Sequence, residues 1–352
     1  MSSRSGSLLT WHRRLLLGAP ASIWAASLIG AQDRPERAAL RLAVGGKATV
    51  NHLPLTVAEK LDYFKTEGLS VELHEYVGSG QAEQALLADR ADVAVGGFEH
   101  AMLLHARGFD CRTFVCLGRA PQTVLGVSAR AVPQYRHIGH LKGRRIGVSS
   151  LGCSTHWFAR TVLARGGVAP GRVEFVALGT SAAAVSAVRD GRVDALSSID
   201  PVISMLEARG ELRVLADTRS LRGTHEALGG PMPGPCLYAT QKFIARYPRT
   251  VQALTNAVVR ALKWLQTAGP SDIVRVIPEA HMYGDRTVYM AALDKAREVF
   301  SPDGLVSEDG ASTALKAIGG DNVSRAPNTW TNDFTDRARQ RYPVWTTPSV
   351  LG

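Results

Sequence analysis

From residue 40 onward the chain alternates between two hydrophobic periods. Leu40, Leu42 and Val44 recur at every second position and stop at Gly45-Gly46, the spacing of a strand with one buried face. Residues 54–64 then carry apolar side chains at helical spacing, ending at Glu67-Gly68. Leu69, Val71 and Leu73 restore the two-residue period until Gly78-Ser79-Gly80. A helix over 81–89 leads to a strand over 91–95, closed by Gly96-Gly97-Phe98. Strand, helix, strand, helix, strand predicts a parallel sheet covered by helices. Ligands of such sheets bind beyond the carboxyl ends of the strands. The turns 45–52, 78–81 and 96–100 are therefore expected along one rim.

A helix over 101–107 and strands over 111–117 and 123–128 complete this first unit. Residues 129–141, polar and containing Pro133 and Gly139, read as a crossing. The pattern restarts with a strand over 145–148, stopped by Ser149-Ser150-Leu151-Gly152, and a helix over 155–165 with Ser154 or Thr155 as N-cap. Strand 173–178, a stop at Gly179-Thr180-Ser181, helix 182–190 and strand 193–197 follow, ending at Ile199-Asp200-Pro201. A helix to 209 and a strand over 212–215 close the second unit. LLADRADVAVGG at 86–97 and AVRDGRVDALSS at 187–198 share one pattern: helix end, polar turn, hydrophobic–Asp–hydrophobic strand, small-residue stop. The repeat predicts two similar α/β lobes, 38–128 with 236–345 forming lobe one and 129–235 lobe two. Strand 236–239 reads as the return crossing, and helices follow over 241–245, 250–268, 271–277, 285–299 and 308–318. An aromatic and polar tail, 330–345, is expected to lie on the surface. Two crossings make a hinge, and two facing rims make a cleft.

Composition narrows the classes. A chain of 352 residues, 45% hydrophobic and 20% charged, suits two ordinary globular domains. Net charge is +10, of which Arg4, Arg13 and Arg14 supply three in an acid-free first 31 residues, leaving +7 beyond them. Basic residues are scattered, with no run longer than Arg144-Arg145, which argues against a nucleic-acid partner. Such a surface can still attract anionic lipid or small anions. Arg13-Arg14 before Leu15-Leu16-Leu17 and an apolar stretch to Ile29, with small residues from Ala25 to Ala31, reads as an export signal over 1–31. The arginine pair resembles a twin-arginine signal, with His12 where Ser or Thr is usual. A Sec signal and an uncleaved anchor are the alternatives, and the expected location is the periplasm. Cys111 and Cys116 fall on opposite faces of one strand, so Cys153 with Cys236 is the one pairing entertained. Neither CxxC nor a Cys/His cluster is present, which argues against structural zinc.

These residues carry a resemblance. The stretch 40–97, and within it Asp62-Tyr63-Phe64-Lys65-Thr66-Glu67-Gly68-Leu69, resembles the start of the nitrate/sulfonate/taurine-type substrate-binding proteins of ABC importers. That family has the type II periplasmic-binding-protein fold with an NMT1/THI5-like domain. Asp62 stands where it usually has Gly. Residues 141–148 are similar to the family's entrance into lobe two and 241–254 to its return, so the likeness spans about 40–270. It implies an α/β fold of two lobes, mixed or parallel sheets with helices on both faces, and a ligand cleft between them. It implies an extracytoplasmic solute receptor, not an enzyme and without a cofactor. Such a receptor is a monomer that closes on its ligand and delivers it to a permease with its ATPase.

The family's ligand loops carry over to 45–52, 78–81, 98–100, 149–155, 179–181 and 200. The candidates within them are Asn51, His52, Ser79, Gln81, Phe98, Glu99, His100, Ser154, Thr155, His156, Thr180 and Asp200. Amides at helix N-termini suit sulfonate, nitrate or carboxylate, and the net charge favours an anionic or zwitterionic solute, taurine-like compounds included. Glu99 and Asp200 either hold a ligand ammonium or amidine or cap turns. Trp157, Phe158 and Phe98 either wall an organic ligand or pack in the core. If their loops meet, His52, His100 and His156 with Glu99 approach one another, yet their wide spacing argues against a metal site, and none is assigned. Thiamine-pyrimidine-precursor binding, a related biosynthetic enzyme and a periplasmic ligand sensor are the competing readings. No nucleophile elbow, P-loop or dinucleotide fingerprint supports an enzyme.

Overall fold

The computed structural model describes residues 34–318 and 328–343. The export segment expected at 1–31 lies outside them. Ten strands form in chain order: β1 (Ala39–Gly45), β2 (Ser70–Tyr76), β3 (Val93–Gly97), β4 (Cys111–Cys116), β5 (Thr123–Ser128), β6 (Arg145–Val148), β7 (Glu174–Ala177), β8 (Ala195–Ile199), β9 (Leu212–Asp217) and β10 (Pro235–Thr240). They build two five-stranded sheets, ordered β2-β1-β3-β10-β4 and β7-β6-β8-β5-β9. In the first, β1 is parallel to β2 and β3 while β10 runs antiparallel to β3 and β4. In the second, β6 is parallel to β7 and β8 while β5 runs antiparallel to β8 and β9. Each sheet thus receives its antiparallel fourth strand from a chain arriving out of the other. The class is α/β, as the alternation of periods predicts, and the antiparallel β10 and β5 make both sheets mixed.

The boundary expected at 128–129 moves. Strand β5 belongs to the second sheet, so the first crossing runs through 117–122, and 129–141 stays beside the sheet it was expected to lead into. All six residues of β5 are buried, because it lies between two neighbours. An apolar run reports burial without saying which sheet provides it. Likewise β10 is a full strand inside the first sheet, and the return crossing is the Gly-Pro-rich 229–234. Its position decides the cysteines. Register places Cys236 opposite Cys116, with their Sγ atoms 2.6 Å apart. The Cys153–Cys236 pairing entertained from the sequence does not form, and all four thiols are free and buried.

The sequence repeat has a physical counterpart. Asp92, just before β3, accepts the backbone N–H of Arg41 at 2.9 Å and its Nη2 at 3.0 Å. Asp194, just before β8, accepts the N–H of Arg145 at 2.9 Å and its Nε at 3.3 Å. Each aspartate of the hydrophobic–Asp–hydrophobic motif therefore ties its strand to the preceding parallel one. Burial alone would raise both carboxyls; the arginine and amide hydrogen bonds hold them below the ordinary range.

The helix Pro248–Thr267 buries Val251, Leu254, Val258, Leu262 and Leu265 against the first sheet's core. These positions recur at three- and four-residue intervals, one stripe of a helix. Over its described residues the tail packs on the surface as expected, one face turned inward and the other exposed. Thr331 N donates to Thr113 O at 2.9 Å, and the helix Asp333–Arg341 buries Phe334 and Ala338, four apart on one face. Phe334 meets Phe114 edge-on at 6.3 Å. No helix of the described residues is long and apolar enough to cross a membrane.

Candidate functional site

The carboxyl ends of the parallel strands of both sheets converge on one cavity of about 30 Å³. Gly45, Asn51, His52, Ser79, Gly97 and Glu99 line it from the first sheet; Ser149, Ser154, Thr155, Thr180 and Ile199 line it from the second. The crossings complete it with Pro121, Pro233 and Gly234. Hydrogen bonds join the two sides. Gly97 N donates to Ser154 Oγ at 3.1 Å, Val50 N to Asp200 O at 3.0 Å, and Tyr283 OH to Thr180 O at 2.9 Å. At Gly45 the β1 turn runs against the backbone of Gly78 and Ser79, so a Cβ there would collide with main-chain atoms.

On the first side, the turn Val50–His52 is folded by Thr49, whose hydroxyl donates to Gly46 O at 2.8 Å. His52 Nδ1 lies 3.1 Å from the same carbonyl, which makes it the protonated nitrogen. Burial pushes the His52 pKa down to about 4, so the ring is neutral at pH 7. Ser79 opens the helix Ser79–Leu87, whose N-cap, Gly78, offers no side-chain cap. Glu99 and His100 fall in the first turn of the helix Glu99–Ala106 rather than on the preceding loop. Glu99 is 2% exposed, and its Oε1 has no hydrogen-bond partner. His100 Nδ1 lies 2.9 Å from Glu83 Oε2, and Glu83 Oε1 accepts from Arg107 at 2.8 Å. Burial would lower the His100 pKa, but the Glu83 hydrogen bond and the charges of Glu99 and Glu83 raise it overall.

On the second side, the loop into the helix Ser154–Arg165 is tied by Thr155. Its Oγ1 accepts Ser149 N at 2.9 Å and lies 2.8 Å from Ser149 Oγ and 3.0 Å from Cys153 Sγ. Ser154 Oγ lies 3.2 Å from His100 Nε2, across the cleft. No lysine or arginine of the described residues lines the cavity, and Glu99 is its one acid.

Seven of the twelve sequence candidates line the cavity: Asn51, His52, Ser79, Glu99, Ser154, Thr155 and Thr180. Five do not. Gln81 is exposed and accepts Val77 N at 3.3 Å. Phe98 is wholly buried in an apolar cluster with Met102, Leu125 and Phe158. His100 stands behind Ser154. His156 accepts Gly152 N at 3.0 Å, meets Phe175 edge-on at 4.4 Å, and lines a separate surface cavity beside Arg160. Asp200 caps Ser204 N at 2.9 Å and pairs with buried Arg219 at 3.4 Å. The three histidines therefore do not converge, and no group of three or more His, Cys, Asp or Glu among the described residues could hold a metal ion. Sequence reasoning missed Pro121 and Thr123 because it placed the first crossing at 129–141, and Pro233–Pro235 because it took the return crossing for a hinge alone. A crossing passes the cleft at the point where the two rims meet, and the Gly-Pro composition of 229–235 was the available signal.

A protein-family model described as NMT1/THI5 like matches residues 49–270. A solved structure from Bordetella bronchiseptica RB50 is 45% identical, with a TM-score of 0.86 over 88% of this chain and 99% of that one. The alkanesulfonate-binding protein SsuA from Xanthomonas axonopodis pv. citri, solved bound to MOPS, is 20% identical, with a TM-score of 0.60 over 80% of this chain and 91% of that one. The periplasmic nitrate-binding protein NrtA from Synechocystis PCC 6803 is 13% identical, with a TM-score of 0.68 over 88% and 90%. The latter two share the two-sheet fold. Matched by the family model over well over half its length, the chain belongs to the NMT1/THI5-like family.

Proposed function

We propose that this chain is the extracytoplasmic solute-binding protein of an ABC importer. It encloses a small polar solute between its two sheets, closes by rotation about the crossings at 117–122 and 229–234, and delivers the solute to a permease and its ATPase. The observation that carries this reading is the cavity itself, lined from both sheets and from both crossings. At about 30 Å³ it has room for one or two water molecules, so a larger solute requires the sheets to separate. Binding then coincides with closure. The fold shared with alkanesulfonate- and nitrate-binding proteins supports the reading. The helices that begin at Ser79 and Ser154 bring first-turn amides to the cavity with no side-chain cap, a setting for an acidic group on the ligand. Thermal unfolding of the exported chain should respond to one class among alkanesulfonates, taurine, nitrate, small carboxylates, amino acids and thiamine pyrimidine precursors. A ligand at 100 times its dissociation constant adds about 2.7 kcal/mol. Ser79→Ala and Asn51→Ala should weaken that response. No response across the panel, or one untouched by both variants, rejects the cavity as the site.

A further inference from the structure

We propose that Glu99 sets the ligand class: the bound solute presents a cationic N–H group, an ammonium or amidinium, to the Glu99 carboxylate. The inference rests on the receptor reading above and narrows it. Glu99 lines the cavity, is 2% exposed, and its Oε1 accepts no hydrogen bond. Buried polar atoms are almost always paired, and an unpaired buried carboxylate oxygen is costly unless something supplies the missing donor. The imidazole of His100 does not. His100 Nε2 is 3.9 Å from Glu99 Oε1, too far for a hydrogen bond, and its other nitrogen is committed to Glu83 at 2.9 Å. The local backbone is arranged around this carboxylate. A Cβ at Gly97 would collide with both Glu99 oxygens, so the glycine that ends β3 keeps the space into which the carboxylate folds.

The remaining lining agrees. With His52 neutral and no lysine or arginine among the described lining residues, a purely anionic ligand would meet a buried carboxylate and no cationic side chain. Trp157 and Phe158 border the same cavity, and aromatic faces attract ammonium and guanidinium-like groups. An acidic group on the solute still has the amides at Ser79 and Ser154. A solute carrying both charges uses both ends of the cavity.

Calorimetric titration at pH 7 with matched pairs tests this: taurine against ethanesulfonate, β-alanine against propionate, benzamidine against benzoate. The nitrogen-bearing member of at least one pair should bind ten or more times tighter than its partner, and Glu99→Gln should abolish that preference. Tighter or equal binding of the simple anions leaves the receptor reading standing and overturns the Glu99 assignment. A preference that survives in Glu99→Gln also overturns it. Silence toward every probe, anions included, rejects both. Should Glu99→Gln fail to fold, the matched-pair preference of the unsubstituted protein decides alone.

Discussion

Acidification between pH 6.5 and 4 should destabilise the fold through His52. The ring is 4% exposed, and its Nδ1–H is held by Gly46 O at 3.1 Å. Burial is the larger influence and opposes protonation; the carbonyl favours it and is outweighed. The folded-state pKa is thus depressed, so between the two values the unfolded chain binds the extra proton. The stabilisation is complete above about 6.5 and lost as pH falls through about 4. A fall from 6.5 to about 4, at about 1.4 kcal/mol per pH unit, amounts to about 3 kcal/mol. The assay is urea unfolding of the ligand-free protein at intervals from pH 7.5 to 4.5, beside His52→Asn. Asparagine can present an amide N–H near the position of Nδ1 but does not titrate. Subtracting the two curves removes the carboxylates and the other histidines, which both proteins share. The difference should narrow by about 2 kcal/mol or more over that interval, in the direction that removes the advantage of His52 at low pH. Parallel curves would refute the reasoning and place the ring in contact with water.

Three further outcomes follow from the same geometry. Thr155→Val keeps the shape but takes the acceptor from buried Ser149 N–H, a loss of about 1–3 kcal/mol, visible as a midpoint lower by a few degrees; Thr155→Ser should retain most of the stability, and equal loss in both variants would contradict the assignment. Asp92→Asn removes the carboxylate that accepts three hydrogen bonds from Arg41 and pairs with Arg37 at 3.1 Å. It should cost about 1.5–3 kcal/mol, with Asp194→Asn behaving alike in the second sheet; chemical denaturation of both variants checks the repeat. Gly45→Ala forces a Cβ against the Ser79 backbone and should cost about 1–3 kcal/mol while weakening any ligand response; an unchanged midpoint and response would show that the turn yields freely.

Much of the architecture was legible along the chain because burial is periodic. Leu40, Leu42 and Val44 against the helical spacing of 54–64 mark strand and helix without reference to any neighbour. Asp92 and Asp194 were visible as one motif repeated, and their shared role in tying parallel strands explains why the pattern recurs. Seven candidate residues line the cavity because loops at the carboxyl ends of parallel strands face the same way whatever covers the sheet. Sheet membership was another matter. Strand β5 is apolar throughout and would be equally buried in either sheet, so only pairing with β8 and β9 assigned it. The same holds for β10, which carried Cys236 to Cys116 and left Cys153 with Ser149 and Thr155. Side-chain direction was equally out of reach. Glu99 and His100 are adjacent in sequence, yet one enters the cavity and the other turns to Glu83, because successive positions on a helix point about 100° apart. Local spacing determined which elements form; long-range pairing decided which ends meet, and thereby which acid is left in the cavity without a partner.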